Sequence, residues 1–316
     1  MNNIFDRIGK VINIKKLSCI VCDLYELNEY KSYRIIKIGC DDFSFYLETR
    51  TGQYVVKILH RRKNSQDIKK FEDTYNIFMK NKIKCPHLLK NRNEEYISKL
   101  QFGGININLC LLEYINGKDL YSMNKKITNS DIDKLVDILV SIHNIKDNYK
   151  IEYDRYSFMK LKEVFEKHKS ILSKKMSTDV ANFLKEYAKV DFNKLPVCFI
   201  HADLGRSNII KSKNNELFVI DFIQSGTGIR LLDIVIIINR CIFNYKYVNY
   251  SKKMEKYFLK KYQQYIKLTE YELEVLSILE KANAYSFAIL EYAKLNSKQK
   301  RINYKNDLKF IKKGII

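Results

Sequence analysis

Residues Cys198–Asp233 read CFIHADLGRSNIIKSKNNELFVIDFIQSGTGIRLLD. An apolar run closes at Ile200 and opens into a polar loop that carries His201, Asp203 and Asn208 in the spacing H-x-D-x-x-x-x-N. The pattern predicts a short strand from Asn208 to Lys211, a hairpin-like turn at Lys213-Asn214-Asn215, and a second strand from Leu217 to Ile220, ended by Asp221. Strands paired in this way would deliver Asn208 and Asp221 to one end of a small sheet.

Phosphoryl transfer needs a carboxylate near the attacking hydroxyl, oxygen ligands for Mg2+, and a dry scaffold that keeps them in line. Asp203 can orient a hydroxyl and accept its proton, while Asn208 and Asp221 offer hard oxygen ligands of the kind Mg2+ prefers. These residues resemble the aminoglycoside phosphotransferase and choline kinase group of the protein-kinase-like fold. Its catalytic loop, H-G-D-x-x-x-x-N, is followed by I-D-[FW] and then by G-x-x-x-x-D. Here His201-Ala202-Asp203 with Asn208, Ile220-Asp221-Phe222, and Gly228 with Asp233 stand in the same order and spacing. The resemblance implies ATP and Mg2+ as cofactors, Asp203 as the base, and Asn208 and Asp221 as metal ligands. It implies further that His201 braces the loop and that Asp233 holds it through hydrogen bonds.

The chain departs from this pattern after Asp203, where many members have His-Pro-Gly and this chain has Gly205-Arg206-Ser207. Arg206 could neutralise a γ-phosphate or an anionic acceptor, or simply face solvent from the loop. A looser similarity, carried by TRTGQYVVKIL and GIRLLDIVIIINR, links the chain to CotS-type spore-coat members. It leaves open a non-catalytic coat or interaction protein on the same scaffold. The interval from Asp221 to Asp233 is too short for the activation and peptide-docking segment of ordinary protein kinases. A small-molecule hydroxyl acceptor is expected instead, such as an aminoglycoside-like antibiotic, choline, or a sugar or amino alcohol.

Upstream, YRIIKI, FSFYLETR and QYVVKIL read as strands, with a hairpin signal at Thr51-Gly52. The connection from Gly39 to Ser44 could fold over phosphates through its backbone N–H groups, although it holds a single glycine. Lys57 is centred in the apolar run YVVKIL, and a charge so placed needs a partner. The resemblance makes it the lysine of the α- and β-phosphates, paired with Glu72 on a helix striped by Phe71, Tyr75 and Phe78; Asp73 competes for that place. Further on, Glu113-Tyr114-Ile115 resembles the interlobe hinge. There the backbone of Glu113 and Ile115 would meet the adenine edge, so ATP and GTP are not distinguished. The fold class expected is α+β and bilobal: a mostly antiparallel β N-lobe with one main helix over residues 1–116, then a larger helical C-lobe over residues 117–316.

Composition sets the outer limits. The chain has 316 residues, 46% hydrophobic and 29% charged, with two prolines and ten glycines, which excludes disorder and long Pro/Gly linkers. A net charge of +21 ordinarily suggests a polyanion. The joint crowding of Lys, Asn, Ile and Tyr reads instead as background composition, and no nucleic-acid motif accompanies it. The same charge disfavours polycationic acceptors.

Seven cysteines, an odd number, suggest reduced thiols in the cytoplasm. Cys19-Ile20-Val21-Cys22 has no second pair to complete a zinc site and reads as two buried structural thiols. His143, in LVSIHNI, reads as a satisfied structural histidine. No apolar run approaches the roughly 20 residues of a membrane span, and a monomer or weak dimer is expected.

Overall fold

A computed structural model describes residues 7–36 and 42–294, so Gly39 of the expected phosphate loop lies outside the described residues. The chain divides into two compact units, Met1–Gly117 and Lys118–Ile316. The fold class is the α+β one expected from the sequence, with an antiparallel sheet in the first unit and mostly helices in the second.

Unit 1 is built on six strands: β1 (Tyr30–Ile35), β2 (Phe43–Thr49), β3 (Gln53–Ile58), β4 (Leu88–Leu89), β5 (Ser98–Phe102) and β6 (Ile105–Glu113). The sheet runs β1-β2-β3-β6-β4, with β5 also paired to β6, and every pairing is antiparallel. In β2, Phe43, Phe45 and Leu47 alternate with less buried residues, the period of a strand with one face in a core. That core also takes Val56, Ile58, Leu109 and Leu111, and it is closed by a helix, α1 (Ile14–Leu24), through Leu17 and Val21.

The N-terminal stretch, which carries no motif apart from its cysteines, is thus part of the first unit's core. On α1 Cys22 is buried but Cys19 is exposed, so the expectation of two buried thiols holds for one of them. Residues three apart are offset by about 60° around a helix, and Cys19 lies just past the edge of the stripe that buries Ser18, Val21 and Cys22. A second helix, α2 (Ser65–Lys80), starts from a capping box in which Asn64 and Asp67 satisfy each other's backbone N–H groups.

Unit 2 carries the helices α3 (Leu120–Met123), α4 (Asn129–His143), α5 (Leu161–His168), α6 (Lys174–Tyr187), α7 (Leu231–Ile236), α8 (Val248–Tyr265) and α9 (Glu270–Lys294). Two small sheets lie among them. One runs β10 (Leu217–Val219), β9 (Ile209–Ser212), β7 (Gly117–Asp119); the other pairs β11 (Gly226–Ile229) with β8 (Val197–Ile200). The run Ile234–Ile238 is buried throughout, and α7 passes directly into a π turn, Ile237–Ile242. Among the described residues no helix is long and apolar enough to cross a membrane.

Candidate active site

The loop from His201 to Asn208 hangs between two strand pairs. β8 pairs antiparallel with β11, with Ile200 opposite Gly226 and Cys198 opposite Gly228. A Cβ on Gly228 would stand 2.6 Å from Cδ1 of Ile151 and 2.9 Å from Cδ1 of Ile200, so this position of the motif needs glycine for close approach. On the far side of the loop, β9 and β10 form the hairpin expected from the sequence, with Val219 opposite Ile209. The Ile220 N–H donates to the Asn208 carbonyl at 3.0 Å, which brings Asn208 and Asp221 to the same end of the hairpin.

Two residues at this site hold left-handed backbone without being glycine, Ala202 at φ 66° and Asp221 at φ 64°. That conformation costs an alanine roughly 1–2 kcal/mol and persists only where the surroundings enforce it. For Ala202 the enforcer is Asp233, whose side chain is completely buried. Its two oxygens accept the N–H groups of His201 at 2.8 Å and Ala202 at 2.7 Å. Behind Asp233, His143 Nε2 lies 3.3 Å from its carboxylate and Nδ1 lies 2.8 Å from the hydroxyl of Tyr262, so α4, α7 and α8 meet on one buried polar chain. The ring of His201 is fully buried and stands edge-on to Phe222, with Nδ1 accepting the Asp203 N–H at 3.3 Å.

Asp203 sits at the focus. Oδ2 accepts from Nδ2 of Asn208 at 2.7 Å, and Oδ1 accepts from a terminal nitrogen of Arg240 at 2.5 Å. Its side chain keeps 34% of its surface open, enough for a hydroxyl to reach it. Burial pushes its carboxyl above the ordinary carboxylate range; Asp221 adds to the rise, while Arg240 and His201 oppose it.

The Asn208 amide also donates to the Asp203 carbonyl, leaving Oδ1 with no hydrogen bond among the described residues. Asp221 is exposed at the hairpin end. Among the described residues no three His, Cys, Asp or Glu side chains converge on a metal position. An amide oxygen and one carboxylate nevertheless suit Mg2+, which keeps waters and phosphate oxygens as its other ligands.

Arg206 is half-buried and hydrogen-bonded rather than free in solvent. Its Nε donates to the Cys241 carbonyl at 2.7 Å and a terminal nitrogen donates to the Lys125 carbonyl at 2.9 Å. The guanidinium therefore ties the catalytic loop to the end of the π turn. The cation beside Asp203 is Arg240, a residue the motif reading passed over. Like Lys57, Arg240 in IVIIINRCIF is a charge inside an apolar run that must find a partner.

In unit 1 the partner of Lys57 differs from the one expected. The structure pairs Lys57 with Asp42 at 3.5 Å, and no ion pair joins it to Glu72 among the described residues. Two geometric facts explain the change. Ser44 on β2 lies directly opposite Lys57 on β3, and Asp42, just ahead of the strand, reaches the ammonium from the same end of the pair. On α2, Phe71 turns its ring under the Lys57 ammonium at 5.6 Å, and the next residue, Glu72, is rotated away by about 100°.

Asp42 also accepts from the His60 N–H at 2.8 Å and pairs with Lys63 at 2.7 Å. Burial alone would raise its carboxyl, but Lys57 and Lys63 hold it below the ordinary range. Asp73, the competitor, pairs with Lys69. At the end of β6, Glu113 is exposed and donates its N–H to the His87 carbonyl at 2.9 Å, while Ile115 is buried.

Comparison with known proteins places these features in a group. The profile of the phosphotransferase enzyme family matches residues 32–246. The chain is similar to a homoserine kinase of Zymomonas mobilis, 23% identical over 270 residues that cover 84% of this chain and 82% of that one. A homoserine kinase of Rhizobium meliloti is 22% identical, with 83% and 79% covered. Among solved structures, the fold is similar to an amicoumacin kinase bound to AMP-PNP and Ca2+ (TM-score 0.69, 14% identity, 94% and 91% covered). It is also similar to a microcompartment-associated aminopropanol kinase (TM-score 0.64, 12% identity, 95% of each chain). The choline kinase LicA of Streptococcus pneumoniae gives a TM-score of 0.58 at 16% identity, with 95% and 99% covered.

Proposed function

Since the chain belongs to the phosphotransferase enzyme family, we propose that it moves the γ-phosphoryl group of ATP to the hydroxyl of a small amino alcohol or hydroxy amino acid, with Asp203 as the base. The observation that carries this reading is the Asp203 carboxylate, held by Asn208 on one oxygen and Arg240 on the other with part of its surface open. The names of the relatives support the acceptor class: homoserine kinases over most of the chain, and aminopropanol and choline kinases among the folds.

In the reaction the acceptor oxygen attacks phosphorus as its proton passes to Asp203. The bond from phosphorus to the bridging oxygen breaks, and ADP leaves with the electron pair. Burial raises the proton affinity of Asp203 and so suits it to accept that proton. Asp233 supplies no chemistry; it fixes the backbone on which Asp203 stands. Asn208 Oδ1 and Asp221 would hold Mg2+, which when bound neutralises charge on the phosphate oxygens. Lys57 would hold the α- and β-phosphates, steadied by Asp42, and Ser44 lies opposite it on the neighbouring strand. At the end of β6 the adenine edge would meet the backbone of Glu113 and Ile115, where Glu113 can offer only its carbonyl because its N–H is already donated.

The test is a thermal-shift titration with ATP or GTP, each with and without Mg2+, on wild type and Asp221→Ala, followed by ADP release with homoserine, 3-amino-1-propanol, ethanolamine and choline. Metal-dependent stabilisation that the variant loses is the expected result. If neither nucleotide raises the midpoint, the phosphotransfer reading is wrong and a non-catalytic scaffold replaces it.

A further inference from the structure

Arg240 is placed with unusual care for a residue outside the motif. It lies in the π turn that continues α7, the kind of helix irregularity that re-aims a side chain at a functional site. The preceding residue, Asn239, clips the turn to α9 by donating from Nδ2 to the Glu280 carbonyl at 2.9 Å and to Asn283 Oδ1 at 3.1 Å. The Arg240 guanidinium then stacks over the Phe287 ring of the same helix, 5.0 Å from its centroid. Gly205 leaves the space it occupies: a Cβ there would stand 3.1 Å from Cζ and Nη2.

Held in this way, the guanidinium spends one terminal N–H on Asp203 and makes no other hydrogen bond among the described residues. Three-quarters of its side-chain surface is covered, since 24% remains exposed. A fixed, largely covered guanidinium with open donor sites is suited to bind an oxyanion on two parallel hydrogen bonds. Its side of Asp203 matters. Asn208, a proposed metal ligand, takes Oδ2, and Arg240 takes Oδ1, so the two hold different oxygens of the carboxylate. Arg240 comes from the π turn after Asp233, a segment that carries none of the residues assigned to nucleotide or metal.

We propose that Arg240 is the acceptor-reading residue, and that the acceptor carries a carboxylate which docks on the open edge of its guanidinium and sets the hydroxyl beside Asp203. The inference rests on the phosphotransfer reading and narrows its acceptor class to hydroxy acids and hydroxy amino acids. An arginine in this place also works against quaternary ammonium acceptors, which would meet a like charge beside the base.

The experiment compares homoserine with 3-amino-1-propanol, which keeps the same hydroxyl and ammonium but lacks the carboxylate, in wild type, Arg240→Gln and Arg240→Lys. The readout is the ratio of kcat/KM for the two acceptors within each protein, so that any loss of folded enzyme cancels. Wild type is expected to favour homoserine by about 100-fold, the scale of a desolvated charge pair. Arg240→Gln should bring the ratio to within about fivefold of unity, mainly through the KM for homoserine, and Arg240→Lys should retain part of it. A wild-type ratio near one overturns the proposal. So does an Arg240→Gln variant that slows both acceptors equally, which would assign the arginine to the phosphoryl group or to Asp203 alone. If Mg2+-ATP stabilises the protein but homoserine, serine, threonine and glycerate are all left unphosphorylated, Arg240 is misassigned while the kinase reading stands. Absence of any nucleotide stabilisation removes both.

Discussion

Replacing Asp233 with Asn turns one of its two acceptor oxygens into an NH2 donor and tests how the site is held. Asp233 is completely buried and gives one oxygen to the His201 N–H at 2.8 Å and the other to the Ala202 N–H at 2.7 Å. Asparagine has a single oxygen, so whichever way its amide turns, one of those N–H groups faces an NH2 donor. The loss is one charge-assisted hydrogen bond plus a buried donor left without an acceptor, together about 3 kcal/mol. For a unit of this size that corresponds to a fall of about 6–12 °C in Tm.

Function should suffer more than stability. Without its bond, Ala202 relaxes out of the left-handed region it holds at φ 66°, and Asp203, the next residue, moves with it. We expect kcat to drop by about 10–100-fold while the KM for ATP changes little, because a misplaced base costs orientation rather than nucleotide binding. Heat unfolding followed by circular dichroism, with ADP-release kinetics on the same preparations, measures both. A companion variant separates strain from hydrogen bonding: Ala202→Gly in the wild-type background should raise Tm slightly, since glycine adopts this conformation without steric cost. If Asp233→Asn melts within about 1 °C of wild type and keeps its kcat, the claim that this carboxylate enforces the loop is wrong.

Two other outcomes follow from buried carboxylates with opposite shifts. Burial, reinforced by Glu255, pushes Glu280 up to about 8, above its ordinary value of 4.5. Its folded form therefore holds a proton that the unfolded chain has already released, and stability declines as pH rises from about 4.5 towards about 8. Glu280→Gln should match wild type near pH 5 and melt higher at pH 8, by an amount on the order of 3 kcal/mol; parallel Tm–pH curves for the two proteins would reject it.

Asp42 is the reverse case, held low by Lys57 and Lys63 against its burial. The stability it contributes is present above its ordinary value of 3.8 and is lost as pH falls through its depressed folded value. Asp42→Ala should cost about 3 kcal/mol in urea unfolding at pH 7 and weaken ATP binding, and unchanged values for both would dissociate Asp42 from Lys57.

Much of the site was legible because its parts are close in sequence. The eight-residue loop from His201 to Asn208 and the hairpin to Asp221 are local structures, in which spacing sets register and register sets position. The glycine at position 228 and the aspartate at 233 belong to the same local frame. Fold class followed from strand and helix periodicities of the kind seen in β2 and α2.

What periodicity could not supply was the identity of partners across long loops. Lys57 was recognisable as a charge that needed a counter-ion, but several carboxylates lay within reach of an unfolded reading. Only the β2–β3 register and the rotation of α2 by one residue choose Asp42 over Glu72. Arg206 and Arg240 present the same lesson inside the catalytic unit. By sequence the first stood next to the base and the second lay beyond the motif. The π turn and the close approach at Gly205 exchange their roles, tying Arg206 to two backbone carbonyls and laying Arg240 against Asp203.

The chain's linear pattern thus determined by itself which chemistry is present and on which hairpin it sits, since those interactions span few residues. Tertiary packing decided which cation meets which carboxylate, because a charge buried by folding must pair with whatever opposite charge the register and helix rotation bring to it.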